Sequence, residues 1–462
     1  MRLTGKLVLA PLLASWCGCA LWAQDSAEIL NRMKAMEDRI RALEAEVQTL
    51  KGQKAAVAAP AVPVAQPAPA AVAQAPAMPQ ESPSLGGVGG AAGKALNPDI
   101  SVIGDFVGAA GNHGGRATPA LEMHESEVGF QEVIDPYARA DFFISFGEKG
   151  VNLEEGFITF TSLPAGLLLK AGKMRSAFGK VNTLHNHVLP WTDRPLVTQN
   201  LVGGEDGIND AGLSLSRIIP APKGLFLEAT AQLFRGDSEN VFASTKRSDL
   251  SAVGHLRAYA DISESTNIDV GGSYARGHSP FADGKNQLFG MDATLRWKPL
   301  RRAIYHSFVG RSELIWARTS VPVSYAIYDP ATTASQIPPT SVAPRGLVKP
   351  FGFYVSGDYQ LNRRWILGGR FDQSQRGQCL PTNPETVSNR CDPSLNFVSN
   401  PYYAGSPLLR DTGGSVLLTY VPSEFSLIRS QFRRTSYGEG RIANEFLFQF
   451  QFSMGAHGAH PF

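Results

Sequence analysis

Two histidine pairs are the first candidates for chemistry. In an extended segment His185-x-His187 puts both rings on one side, and His457-x-x-His460 brings two rings near each other in a turn. A stable zinc site needs three or four ligands, and neither pair supplies them from its own neighbourhood. No metal and no cofactor is therefore expected. The sequence holds no Gly-x-Ser-x-Gly and no His-Glu-x-x-His, and no spacing that assembles a nucleophile, a base and an orienting acid, so no enzymatic role is expected. Cys379 and Cys391 lie in a polar, Pro/Asn-rich stretch. In an oxidising compartment a disulfide is their default state, closing a loop of about 13 residues and contributing roughly 3 kcal/mol in the chain-entropy model. The remaining chemistry is charge. The long non-periodic segment 174–210 carries Arg175, Lys180, Asp193, Arg194, Glu205 and Asp206, and Arg139, Arg257, Arg296 and Arg370 stand at alternate positions of apolar/polar runs.

The elements that must position these groups are strands. From Pro98 to Phe462, short runs alternate apolar and polar residues and are separated by turn residues. In Ser251–Ile262, Ala252, Gly254, Leu256, Ala258, Ala260 and Ile262 share one face, with His255, Arg257, Tyr259 and Asp261 on the other. Leu288–Lys298 repeats the pattern, with Phe289, Met291, Ala293, Leu295 and Trp297 opposing Asp292, Thr294, Arg296 and Lys298. Sixteen such strands can be counted, and most connections alternate between a tight turn and a longer loop, Gly147–Gly150 being the exception. That asymmetry, with an even count, is the pattern of a transmembrane β-barrel: tight periplasmic turns, long outside loops and both ends on the periplasmic side. A Lys or Arg facing lipid at mid-membrane costs roughly 2–4 kcal/mol. The charged rows must then face a wet lumen and the apolar rows lipid.

The rest of the chain fits an exported protein. Residues 1–23 read as a signal peptide, with Arg2 and Lys6 ahead of the apolar run Leu7–Trp16. Residues 24–54 hold a heptad seam (Ile29, Met33, Met36, Ile40, Leu43, Val47, Leu50) that predicts a periplasmic coiled coil. Residues 55–97 are an Ala/Pro-rich linker. The 43 basic and 41 acidic residues nearly balance, and nothing global favours nucleic acid. The fold expectation is all-β: a sixteen-stranded antiparallel transmembrane barrel over residues 98–462, in a Gram-negative outer membrane, preceded by a helical stalk.

Three stretches carry a family resemblance: Ala177-Phe178-Gly179-Lys180-Val181-Asn182 with His185-Asn186-His187, then Asp193-Arg194-Pro195-Leu196-Val197, then the closing Gly455–Phe462. Together they resemble a group of porin-like outer-membrane proteins often labelled zinc-regulated TonB-dependent receptors. The barrel is more loosely similar to the phosphate-selective porins, which are trimeric sixteen-stranded channels. The receptor label implies an N-terminal plug inside twenty-two strands, whereas about 365 residues suit sixteen and only a coiled coil and linker precede them. The resemblance therefore implies a porin, a homotrimer inserted among outer-membrane lipids by the barrel assembly machinery. The alternate aromatics Phe446, Phe448, Phe450 and Phe452 and the terminal Phe462 are similar to the signal that machinery reads.

Segment 174–210 is the third outside loop in this count, the one that folds inward in general porins. Opposed charges on such a loop, Arg175, Lys180 and Arg194 against Asp193, Glu205 and Asp206, would set a transverse field that sorts solutes by charge and dipole. The other reading is a loop over the outer mouth carrying ordinary surface charge. The lumen arginines would form a basic track, or be neutralised by the interleaved Glu125, Glu127, Asp141, Asp261, Asp292, Glu313, Asp358 and Asp372. The functional expectation is passive diffusion of small hydrophilic solutes or ions. A substrate-specific or TonB-linked uptake receptor and a structural outer-membrane tether are the alternatives.

Overall fold

The described residues of the computed structural model are 98–112, 119–147, 150–238, 241–280, 284–322, 345–376, 408–438 and 440–455. The signal segment, coiled coil and linker, the Cys379/Cys391 pair and the His457/His460 pair all lie outside them.

Among these residues are seventeen strands in one sheet. They are β1 (Asp99–Gly111), β2 (Leu121–Asp135), β3 (Ala138–Gly147), β4 (Gly150–Phe160), β5 (Leu167–Arg175), β6 (Asn209–Ile219), β7 (Leu225–Phe234), β8 (Ser251–Ser263) and β9 (Thr266–His278). There follow β10 (Lys285–Trp297), β11 (Phe308–Pro322), β12 (Arg345–Val348), β13 (Phe351–Gln360), β14 (Trp365–Arg376), β15 (Leu409–Ser423), β16 (Ser426–Ser436) and β17 (Ile442–Gly455). Every pairing is antiparallel and, β11–β13 apart, joins chain neighbours, and β1 closes the sheet by pairing β17 from Ser101↔Gly455 to Gly111↔Glu445. Strands β12 and β13 both pair β11, in line with each other, and so form one stave of a closed sixteen-stave barrel. The break falls at Lys349-Pro350, where proline has no N–H to give the ladder, although the Pro350 carbonyl still accepts from the Ala317 amide at 2.9 Å.

The sequence expectation of sixteen staves is met, with several strand ends moved. The twelfth stave starts earlier, at Arg345, and β11 starts at Phe308 rather than Ile304. Residues 301–306 turn instead: Arg302 sits at φ 72 and its carbonyl accepts from the Tyr305 and His306 amides at 2.8 and 3.0 Å.

The period-2 pattern becomes two surfaces. Outward-facing Leu256, Met291, Phe371, Val416, Phe432 and Phe446 are all exposed. Tyr274, Phe289, Trp316 and Phe351 lie side by side across β9, β10, β11 and β13 near their outer ends, and Trp365 faces Tyr420 at the inner end, with ring centroids 4.7 Å apart. Phe289 and Trp297 bracket the apolar face of β10, and at ~3.4 Å per residue with a ~40° tilt they are about 20 Å apart along the barrel axis. An apolar belt between two aromatic girdles around a closed barrel is a lipid-facing surface.

The apolar core lies inside the barrel. Phe178, Val181, Leu189, Trp191, Val197, Leu201 and Ile208, from the connection between β5 and β6, pack with inward-facing Phe234, Val253, Leu288, Ile315, Tyr354 and Leu417. The β5–β6 connection thus lies in the lumen.

Candidate functional site

The site is this connection, residues 176–208, and the three patches of wall that hold it. Two short 3-10 turns (Val181–Thr183 and Asn186–Val188) and one six-residue helix, α1 (Leu196–Leu201), shape it. No regular ladder satisfies its buried backbone, so wall side chains must.

The first patch is on β9 and β11. Gly179, at φ 62, takes the left-handed conformation that lets successive amides converge. Its N–H donates to Ser273 Oγ at 2.9 Å, and the Lys180 and Val181 amides both donate to Glu313 Oε1, the latter at 2.8 Å. Lys180 Nζ reaches Asp269 Oδ2 at 2.5 Å, a carboxylate also held by Arg257 at 2.8 Å and approached by Arg296 at 3.9 Å.

The second patch is on β14 and β16. Asp193 accepts from Arg370 at 2.8 Å, Arg433 at 2.7 Å and Gln431 at 2.5 Å, while Arg370 also donates to the Asp193 carbonyl at 2.8 Å. Each arginine keeps a wall carboxylate of its own: Arg370 has Asp372 at 2.7 Å and Arg433 has Glu445 at 2.5 Å. Burial alone would raise the Asp193 carboxyl, but Arg370 and then Arg433 overcome it and hold the group well below the usual carboxylate range. Beside it Trp191 is fully buried, edge-on to Tyr354 at 5.1 Å with the Arg370 guanidinium 5.0 Å from its ring. The Leu196 amide and Asn200 side chain bond Asp372 and Asp411, so α1 sits against β14 and β15.

The third patch is on β2 and β4. His185 Nδ1 lies 2.6 Å from Glu127 Oε2 and 3.1 Å from Glu154 Oε2, and its Nε2 is 2.7 Å from Glu155 Oε2. His187 Nδ1 lies 3.5 Å from Glu125 Oε1 and 3.9 Å from Glu127 Oε2. Burial disfavours a charged His185, but the hydrogen bonds to Glu127, Glu154 and Glu155 outweigh it and raise the imidazole well above its ordinary value. Two β-bulges aim this patch inward. The β1–β2 register slips at Asp105/Phe106, leaving His124 as the extra residue before Glu125, and the β3–β4 register slips at Phe143/Ile144, leaving Glu154 unpaired beside Glu155. An extra residue re-aims side chains that strict alternation would send to lipid, which is how two consecutive glutamates both reach one histidine.

The sequence-predicted residues separate by placement. Lys180 and Asp193 stand at wall patches as described. Arg175 ends β5 and is buried, bonding Glu154 at 3.2 Å and the Glu205 and Asp206 carbonyls at 2.9 and 3.2 Å. Arg194 is buried within the connection, donating to Asn186 Oδ1 and to the Val181 and Leu184 carbonyls. Desolvation and Arg175 press it down to about 9, still a cation at neutral pH. The Glu205 carboxylate is exposed and meets His124 at 3.3 Å, and Asp206 is exposed. Of the lumen arginines, Arg139 pairs with Asp141 at 2.5 Å, Arg257 and Arg296 gather at Asp269, and Arg370 is buried under Asp193. The side chains of Lys180, Arg257, Arg296 and Arg311 keep 28, 37, 26 and 26 % of their surface open, so this side of the lumen meets water. Sequence reasoning did not single out Glu154, Glu155, Asp269 or Trp191. The adjacent Glu154-Glu155 within an otherwise alternating strand is the one signal that could have found the bulge.

No protein-family model matches the chain. A protein of Aquifex aeolicus (strain VF5) described as uncharacterized is 27% identical over 419 residues, covering 80% of this chain and 81% of that one. Among solved structures, a loop L8 deletion mutant of OmpT, an outer membrane protein of Vibrio cholerae, is similar with a TM-score of 0.48 at 7% identity, over 78% of this chain and 99% of that one. An anion-selective porin from Comamonas acidovorans gives 0.47 at 9%, over 78% and 99%, and the outer membrane channel DcaP of Acinetobacter baumannii gives 0.45 at 12%, over 80% and 100%.

Proposed function

We propose that the chain is an outer-membrane porin, passing small hydrophilic solutes or ions by passive diffusion around a lumen strap formed by residues 176–208. The observation that carries this reading is the pairing of a lipid-facing apolar shell with a charged interior. The strap is tied at Lys180 to β9 and β11, at Asp193 to β14 and β16, and at His185 to β2 and β4 on the far side of the barrel from Lys180, and Lys180, Arg257, Arg296 and Arg311 line the open side. A strap fixed on both sides narrows the lumen to a set width without closing it, and fixed charges beside the remaining water sort solutes electrostatically.

In this reading Lys180, Asp193 and the Asp269-centred arginines bound the aperture. Arg175 and Arg194 hold the strap's shape, and Glu205 and Asp206 face the outer vestibule. The chain acts as a channel rather than an enzyme, inserted among outer-membrane lipids by the barrel assembly machinery, and is proposed to associate as a homotrimer through its apolar belt. The test is single-channel recording of the refolded protein in planar bilayers, with reversal potentials in a salt gradient and chemical cross-linking to count protomers. Stepwise, energy-independent conductance is expected; a folded, inserted protein with no conductance would overturn the reading.

A further inference from the structure

From the third wall patch we infer a binding site for a divalent transition-metal ion of the zinc class, formed by His185 and His187 of the strap and Glu125 and Glu127 of β2. All four residues are buried, and one donor atom from each lies within 4.8 Å of the others. Neither carboxylate oxygen of Glu125 accepts a hydrogen bond among the described residues, although its side chain is only 6% exposed. A buried carboxylate is costly without a positive partner, and here it faces the His187 Nδ1 at 3.5 Å.

The distances favour coordination over a simple ion pair. Ligand atoms bound at ~2.0–2.1 Å around a tetrahedral ion are about 3.3 Å apart. The His187 Nδ1 separations of 3.5 and 3.9 Å from Glu125 and Glu127 are close to that edge. The 2.6 Å contact between His185 Nδ1 and Glu127 would open by less than 1 Å as the ion displaces the proton between them. Glu154 Oε2, 3.1 Å from the same nitrogen, is placed to be a fifth donor. Glu155 holds the opposite ring nitrogen of His185 at 2.7 Å, the carboxylate–imidazole support that fixes tautomer and orientation in metal sites.

Charge and donor chemistry agree. Four glutamates against Arg175 leave a formal charge of −3 when both imidazoles are neutral, in a dry pocket where a dication is the compact way to offset it. Imidazole with carboxylate suits zinc, cobalt or nickel, whereas calcium and magnesium prefer oxygen alone. Both histidines belong to the strap and both first glutamates to the wall, so a bound ion would cross-link the two.

The experiment uses the full-length protein refolded in detergent, stripped with chelator and titrated with Zn2+ by calorimetry and with Co2+ by visible absorption. One ion per chain is expected, with d–d bands of four- or five-coordinate Co2+ and no thiolate charge-transfer band. Glu125→Gln or His187→Gln should abolish stoichiometric binding, and Glu155→Gln should weaken it roughly 10- to 100-fold. His457→Ala with His460→Ala should leave it unchanged. Heat-modifiable electrophoresis checks that each variant is folded. If one does not fold, the wild-type Co2+ spectrum and its two shifted exchangeable imidazole N–H resonances decide. Absence of stoichiometric binding to the folded wild type, or loss of binding only in the tail variant, would overturn the site. None of these readouts involves conductance, so they are independent of the channel reading.

Discussion

Replacing Asp193 with Asn tests how the strap is held. The change keeps the side chain's shape and removes its charge. Asp193 accepts two charge-assisted hydrogen bonds, from Arg370 at 2.8 Å and Arg433 at 2.7 Å. Both go to Oδ2, so the asparagine oxygen can still accept them, without the carboxylate charge, and its amide N–H then turns toward Gln431 Nε2, which donated to Oδ1. A hydrogen bond to a charged group contributes about 1.5–3 kcal/mol, against about 0.5–1.5 kcal/mol for a neutral one. The larger penalty of a stranded buried charge does not apply, because Asp372 and Glu445 still pair the two arginines. The net loss at the strap is then about 2–3 kcal/mol, which at 1.4 kcal/mol per decade accelerates local opening roughly 30- to 150-fold. Hydrogen exchange with mass spectrometry in detergent reads this directly. Peptides spanning 189–201 should exchange faster by that factor while peptides from β9 and β11 stay as they are, and bilayer recordings should show noisier open channels. Unchanged exchange at 189–201, or an equal rise throughout the barrel, would refute the assignment of Asp193 as a strap anchor.

Other expectations follow from the same geometry. The Asp193 carboxyl is held below its unfolded value by the arginines, so its contribution is present above pH about 3.9 and lost as pH falls through the folded value; exchange at 189–201 should be flat from neutral pH to about 4.5 and rise only in stronger acid. Trp191→Ala removes a fully buried indole and should cost about 3–5 kcal/mol, loosening the strap more than Asp193→Asn does and exposing it to protease. Arg257→Gln or Arg296→Gln removes a half-open positive charge beside Asp269 and should move the reversal potential toward cations with little change in thermal stability. Gly179→Ala places a methyl 2.9 Å from Glu313 Oε1 at a left-handed position, and should weaken the first wall patch by about 1–2 kcal/mol, visible as faster exchange of the 179–184 amides.

The barrel was legible because a strand has a period of two and lipid tolerates no charge: Arg257 and Leu256 cannot share a face. The strap was legible only as a long aperiodic interval. Its path depends on Asp269 and Glu313, which lie 89 and 133 residues from Lys180, and on Arg370, 177 residues from Asp193, which meet it only when the sheet forms. Reading Arg175 and Arg194 as solute-facing weighed residue type alone, whereas both are enclosed by carbonyl groups of the strap itself. The four-donor group was not legible because spacing was judged within each histidine pair, while Glu125 and Glu127 arrive from β2. The twelfth stave was legible from Phe351 onward, but nothing in composition placed Arg345–Val348 on the same stave across Pro350.

The span of the Asp193 contacts sets an order of events. Its partners on β14 and β16 follow it by 177 to 240 residues, so the polypeptide must deliver nearly its whole length before the Asp193 end of the strap can dock, whereas the His185 end meets glutamates that precede it. Docking of Asp193 is therefore a late latch: it closes only when the wall has been laid down as far as β16.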